Sequence, residues 1–131
     1  MKNGFTLMEV VVVLAIIAIL SAVIVPGFTG YTDRAKLRGD VQSTRVIQNA
    51  IDLYKAEAGK DVGYAYPVVA EMLAHLASAG YLEGAPALQT DGAVWVYASA
   101  ARKIKIDADK CSDSVKNVQL SDAEAAYIIN K

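Results

Sequence analysis

Phe5-Thr6-Leu7-Met8-Glu9-Val10-Val11-Val12-Val13-Leu14-Ala15-Ile16-Ile17-Ala18-Ile19-Leu20-Ser21-Ala22-Val23-Ile24-Val25 holds a single ionisable side chain, Glu9. A run of about 21 residues makes a helix of roughly 32 Å, enough to span the hydrocarbon core of a bilayer. A secretory signal would pair a basic start with a shorter apolar stretch and a small-x-small cleavage site. Here Met1-Lys2-Asn3-Gly4 offers one lysine, the stretch is too long, and no Ala-x-Ala closes it. An acidic side chain in mid-bilayer costs about 2.5–3.5 kcal/mol on insertion scales, less near a helix end. Glu9 is therefore a functional candidate, set against the plainer reading of a single-pass anchor with an incidental glutamate.

The remainder bounds the protein class. At 131 residues there is room for one domain, and a net charge of −1 gives no overall bias toward nucleic acid or anionic lipid. The 54% hydrophobic content is unevenly placed. Without the apolar run, about 100 residues remain, a normal polar domain with a modest core. One cysteine, Cys111, excludes an intramolecular disulfide framework and a multi-cysteine metal site. It reads as a small buried apolar residue. Lys2 on one side of the run faces Arg34, Lys36, Arg38 and Arg45 on the other, partly offset by Asp33 and Asp40. Counted alone, these charges would leave the domain in the cytoplasm.

Helical periodicity continues past the run. Pro26, Gly27 and Gly30 mark a weak point where a kink or melted turn is expected. Leu37, Val41, Thr44, Ile47 or Gln48, Ile51, Tyr54 and Ala58 then recur at three- and four-residue steps, predicting one buried face, with Gly59 as C-cap. Residues 60–66 read as loop. Pro67 suits a first helical turn, and Val69, Met72, Leu73 and Leu76 give a short amphipathic helix closed by Gly80. Val94-Trp95-Val96-Tyr97 and the alternating Lys103-Ile104-Lys105-Ile106-Asp107 predict an antiparallel hairpin around residues 99–101. A third strand is expected near 118–120. Ser121-Asp122-Ala123-Glu124 is a capping box, predicting helix over 123–129. The fold class is α+β: a long N-terminal helix with its hydrophobic half membrane-spanning and its amphipathic half packed on a small antiparallel β-sheet.

Lys2-Asn3-Gly4-Phe5-Thr6-Leu7-Met8-Glu9-Val10 resembles the class III signal of bacterial type IV pilins and the related pseudopilins of type II secretion, and Pro26 falls in register with that family's helix-softening proline. The resemblance covers about the first 55 residues. It implies a leader over 1–4, a transmembrane and filament-core helix over 5–26, and a pilin head over 27–131 that includes the amphipathic helix 27–58. It also implies that a prepilin peptidase cuts between Gly4 and Phe5 on the cytoplasmic side, and that Phe5 is then N-methylated. Phe5, Glu9 and Pro26 become the assembly residues. Cleavage leaves a cationic amine on an apolar helix, and the glutamate of an incoming subunit meets the Phe5 amine of its neighbour. Pairing offsets much of the cost of burying either charge.

The implied function is that of a structural subunit of a type IV pilus-like filament. The implied partners are further copies of the chain with minor pilins, the peptidase and methyltransferase, the pilus assembly machinery, and membrane lipid before assembly. The implied location is the cytoplasmic membrane before assembly and a cell-surface filament, with a role in adhesion, afterwards. The second reading is a pseudopilin of a type II secretion or competence (DNA-uptake) system, and the third is an anchored binding domain. Major pseudopilins often carry an Asp-Pro-Trp-Gly-like stretch near the sheet, which this sequence lacks, and many pilins close their C-terminal region with a disulfide, which one cysteine cannot form.

Enzymatic motifs are missing: His75 is the only histidine, and no phosphate loop, nucleophile elbow or H-E-x-x-H appears. His75 reads as a surface or packed residue. No cofactor is expected. Asp107, Asp109 and Asp113 are weak candidates for a hard cation, with Lys110 intruding and a solvated turn the better reading. Arg102, Lys103, Lys105 and Lys110 could touch DNA, but Asp107 and Asp109 interleave with them and strand alternation accounts for two of the lysines.

Overall fold

A computed structural model describes residues 4–130, apart from the side chains at positions 25–27 and 29. Met1, Lys2 and Asn3, expected to belong to a leader, lie outside the described set, as does the side chain of Pro26. The chain divides into two compact units, 1–32 and 33–131. Helix α1 (Leu7–Ala58) contributes to both and is unbroken through position 26. Among the described residues of the first unit α1 is the only regular element, and its apolar side chains over 7–24 are all exposed.

The second unit has a core because its share of α1 is patterned. Leu37, Val41, Thr44, Ile47, Gln48, Ala50 and Ile51 are buried on one face, Tyr54 is half-buried, and Ala58 is exposed. Gly59, at φ 66, ends the helix in the left-handed region where a Cβ would be strained. The stretch 60–66, expected as loop, contains a helical turn, α2 (Val62–Ala65). Asp61 caps it by accepting the Gly63 N–H at 3.0 Å. Helix α3 (Val69–Ser78) follows, with Val68 as its N-cap, so Pro67 stands just outside the first turn. It closes in a Schellman motif: Gly80 takes φ 83, its N–H reaches the Ala77 carbonyl at 3.1 Å, and the Tyr81 N–H reaches that of Leu76 at 2.9 Å.

Strands β1 (Val94–Ala98) and β2 (Lys103–Asp107) form the expected antiparallel hairpin, registered with Val94 opposite Asp107 and Ala98 opposite Lys103. The third strand differs from expectation. Residues 118–120 are irregular, and β3 is Ile128–Ile129, pairing parallel to β2 with Ile106 opposite Ile128. The sheet is therefore mixed, in the order β1-β2-β3. The helix expected over 123–129 stops early as α5 (Asp122–Ala125), because its last residues are drawn into the ladder: the Ile106 N–H donates to the Tyr127 carbonyl at 2.8 Å. A further turn, α4 (Asp113–Lys116), lies between β2 and α5.

Two apolar clusters hold the unit. Ile47, Ala50 and Ile51 pack with Val62, with Met72, Leu73 and Leu76 of α3, and with Ile104 of β2. Leu37 and Val41 pack with Ile106, Ala108, Cys111, Val115, Val118 and Ile128. Trp95 packs against both. Each aliphatic side chain fully buried this way contributes about 1.5–3 kcal/mol. Between the clusters runs a polar ladder of Asp40, Thr44 and Gln48, one helical turn apart and all buried. Asp40 accepts the N–H groups of Gln89 and Thr90, each at 2.8 Å. The Thr44 hydroxyl accepts the Trp95 indole N–H at 3.0 Å, and the Gln48 carbonyl oxygen accepts the Ile104 N–H at 3.0 Å. One helix face thus fixes the 89–90 loop, β1 and β2 in register, since a slip would strand buried donors.

Candidate processing and assembly site

The N-terminal candidates converge on the first turn of α1. Gly4 and Phe5 precede the helix outside any regular element, both are exposed, and Phe5 is the most exposed large apolar residue among the described residues at 86%. A Cβ placed on Gly4 would meet nothing within 4 Å. Thr6 is the N-cap and Glu9 the third helical residue. The Glu9 carboxylate accepts the Thr6 N–H at 2.9 Å and the Thr6 hydroxyl at 3.0 Å, while that hydroxyl oxygen accepts the Glu9 N–H at 3.2 Å. This reciprocal arrangement is a capping box, and it puts an anion at the positive end of the helix dipole. The sequence reading missed it, although the Thr-x-x-Glu signature was there to be found, because Glu9 was assigned wholly to a future amine. In this structure Glu9 already has a partner, Thr6.

Beyond Glu9, residues Leu7–Ile24 make one helix long and apolar enough to cross a membrane by length and composition. Its one polar side chain past Glu9, Ser21, donates back to the Ile17 carbonyl at 2.7 Å, so no hydroxyl is left unsatisfied within the span.

The other candidates lie in the second unit. Asp107 Oδ1 accepts from the Asp109 N–H at 3.0 Å and from the Asn130 side-chain amide at 3.1 Å. Asp113 sits in the first turn of α4, and no group of three His, Cys, Asp or Glu suited to a metal ion forms among the described residues. His75 is packed, its ring stacked on Tyr66 at 4.4 Å and edge-on to Tyr54 at 5.5 Å. Cys111 is free and buried, and burial pushes its thiol pKa up, which keeps it in the unreactive protonated form. Arg102 pairs with Asp61 at 3.7 Å, which removes one cation from the basic set.

The geometry of the first turn and span agrees with two comparisons. The description "Prokaryotic N-terminal methylation motif" matches residues 1–25. The chain is 45% identical over 56 residues to a prepilin peptidase-dependent protein A of Clostridium perfringens, covering 43% of this chain and 40% of that protein. Its N-terminal segment is thus similar to those of prepilin-type proteins. The type II secretion system core protein G of Aeromonas hydrophila is 38% identical over 56 residues, 43% of this chain and 39% of its own length. That of Escherichia coli is 29% identical over 94 residues, 66% of this chain and 65% of its own length. The chain thus spans between 39% and 65% of the length of these curated relatives. No solved structure gives a significant match. The arrangement of a long apolar helix followed by helices and a small three-stranded sheet is α+β and pilin-like.

Proposed function

We propose that the chain is a filament subunit of the pseudopilin kind, held in the cytoplasmic membrane by residues 5–26 and drawn into a short envelope-spanning assembly. This reverses the order of the two family readings drawn from the sequence. The support for the reversal is that relatives from Aeromonas hydrophila and Escherichia coli bear the name type II secretion system core protein G. A surface pilus remains the second reading.

The observation that carries the filament role is the chemistry of the first turn. Gly4 and Phe5 lie open ahead of the helix, and Glu9 is the only acid in the apolar span. Hydrolysis of the Gly4–Phe5 bond frees a carboxylate on the leader and an ammonium on Phe5, which methylation then modifies. That ammonium lies one residue from Thr6, inside the field of the Glu9 carboxylate. Glu9 can then trade its own Thr6 for the Phe5 amine of a neighbour, and the pairing sets the axial register of one helix against the next. The peptidase with its methyltransferase, the assembly machinery, lipid and further copies of the chain are the partners this requires.

Intact-mass and N-terminal peptide analysis of the protein from its native membrane tests the reading. A mature chain beginning at methylated Phe5 is the expected result. Retention of Met1, or cleavage after Ser21 or Ala22, would overturn it. Deleting the chain in its host separates the two filament systems: loss of protein export supports the pseudopilin, and loss of surface filaments with export intact supports the pilus.

A further inference from the structure

All the aromatic residues before Tyr54 flank the apolar run of α1, and none lies within it: Phe5 stands on one side, Phe28 and Tyr31 on the other. The span Leu7–Ile24 has 18 residues. That is about 27 Å of helix, close to the ~30 Å hydrocarbon core of a bilayer. Past it, residues 25–32 carry no charged side chain, and charge begins only with Asp33 and Arg34. The first unit therefore continues beyond its span as an uncharged stretch of the same helix.

Phe28 and Tyr31 are 62% and 71% exposed, and at three-residue spacing they share one side of the helix. Phe28 lies about 6 Å and Tyr31 about 10 Å beyond Ile24 along the axis. Every Cα–Cβ bond of a helix tilts toward its N-terminus, so both side chains set out back toward the span. The polar layer of each leaflet is roughly 5–7 Å deep, and both rings fall in or against it. The hydroxyl groups point the same way. Thr6 donates to Glu9 at 3.0 Å, Ser21 to the Ile17 carbonyl at 2.7 Å, and Thr32 to the Phe28 carbonyl at 3.1 Å. Among the described hydroxyls of this unit, only the Tyr31 phenol has no hydrogen-bond partner. An apolar ring with an unsatisfied polar tip suits a boundary between lipid and water.

We propose that Phe28 and Tyr31 form an interfacial belt, which docks the 25–32 stretch of α1 into the lipid headgroup layer at the C-terminal end of the span. Continuity selects lipid as the occupant, because a helix that leaves the hydrocarbon near Ile24 crosses that layer next. The Phe28 ring sits at the level of the uppermost acyl carbons and ester groups. The Tyr31 hydroxyl reaches the ester and phosphate oxygens or the water among them. Aromatic rings at this level hold a helix at one depth, whereas an aliphatic run by itself is free to tilt and slide. The inference rests on the reading of the chain as a membrane-held subunit, and it adds the residues that set how deep the subunit sits.

Nitroxide accessibility tests it in the full chain, reconstituted into phosphatidylethanolamine–phosphatidylglycerol vesicles in a Cys111→Ala background. Single labels at Ile24→Cys, Thr32→Cys and Gln42→Cys are read for collision with oxygen, which favours the hydrocarbon, and with a water-soluble nickel chelate. The Ile24 label is expected to be shielded from the chelate, the Gln42 label open to it, and the Thr32 label intermediate. Phe28→Ala with Tyr31→Ala is expected to raise the Thr32 reading to the Gln42 level while Ile24 stays shielded. Phe28→Trp with Tyr31→Trp is expected to keep the Thr32 reading intermediate. A Thr32 label as open as that at Gln42, or as shielded as that at Ile24, in the chain with both aromatics would overturn the belt. An alanine pair that leaves the Thr32 reading unchanged would overturn it too, and in each of these cases the membrane-held reading stands. An Ile24 label open to the chelate would remove that reading and the belt together.

Discussion

Ile16 and Ile17 stand 51% and 53% exposed on α1, whereas Ile47 and Ile51 on the same helix are 0% and 2% exposed. Residue type and secondary structure are shared, yet one pair has no partner in its own chain and the other sits in a core. The difference lies in pattern. Residues 10–25 are apolar on every side, so no face is singled out for burial against a layer. Residues 37–51 confine their apolar groups to one face and interleave Asp40, Thr44 and Gln48, which hydrogen-bond to specific groups of the head. A uniformly apolar helix is satisfied by lipid or by other such helices, whereas a patterned one specifies a single partner.

The sharpest break of this comparison is a matched pair of truncations. Ile47→Ala is expected to cost the head about 2–5 kcal/mol, read as a lowered melting temperature by near-ultraviolet circular dichroism of the full chain in detergent. Ile17→Ala is expected to leave that transition within about 0.5 kcal/mol. Equal losses would show that the two stretches fold as one unit.

Next in size is Asp40→Ala, which leaves the Gln89 and Thr90 N–H groups buried without their acceptor. A loss of about 3 kcal/mol in denaturant unfolding is expected. The control Asp33→Ala, which removes only an exposed contact with Ser114, is expected to cost less than about 1 kcal/mol.

Tyr97 sharpens the comparison through pH. Burial first, and then its hydrogen bond to Asp61 at 2.7 Å, raise its pKa above the ordinary phenol value. The unfolded chain releases this proton near pH 10, while the folded head holds it. The contribution to stability is therefore complete below about pH 10 and is lost as the pH rises beyond it. In an alkaline melting series, Tyr97→Phe should flatten that fall, and an unchanged slope would remove Tyr97 as its source.

The smallest effect lies at Glu124. Its pKa is lowered first by the Ser121 N–H and then by the Ser121 hydroxyl, both at 2.9 Å. That stabilisation is present above the ordinary carboxylate value of about 4.3 and fades as the pH falls through the depressed one. Glu124→Gln should make the head slightly less sensitive to acid between about pH 5 and 3, measured as the shift in melting temperature across that interval.

Much of this was legible in the chain because it is local. The apolar run, the three- and four-residue steps after it, the Val69–Ser78 helix with Gly80 and the 94–107 hairpin all declare themselves within stretches of about twenty residues or fewer. What escaped has physical reasons. Strand β3 is two residues long and pairs in parallel with a distant strand, so no periodicity marks it, and the Ser121–Glu124 cap pointed to helix instead. Asp40 was read as a solvated flanking charge, although it falls three residues after Leu37 on the inward face. The polar side chain masked a position that periodicity had marked. At the candidate site Gly4, Phe5 and Glu9 were legible as a motif, but the Thr6–Glu9 bonds were not anticipated.

Strand β3 also fixes an order of events. Ile128 packs in the cluster with Leu37 and Val41, and Tyr127 supplies the carbonyl that the Ile106 N–H requires. Closing that cluster joins residues roughly ninety positions apart, a loop that forms late and slowly compared with a helix. The head therefore cannot finish folding until nearly the whole chain has been synthesised. The 7–24 helix, whose hydrogen bonds are all local, can form as soon as it leaves the ribosome. The N-terminal helix is therefore complete first, and the 33–131 unit closes through β3 afterwards.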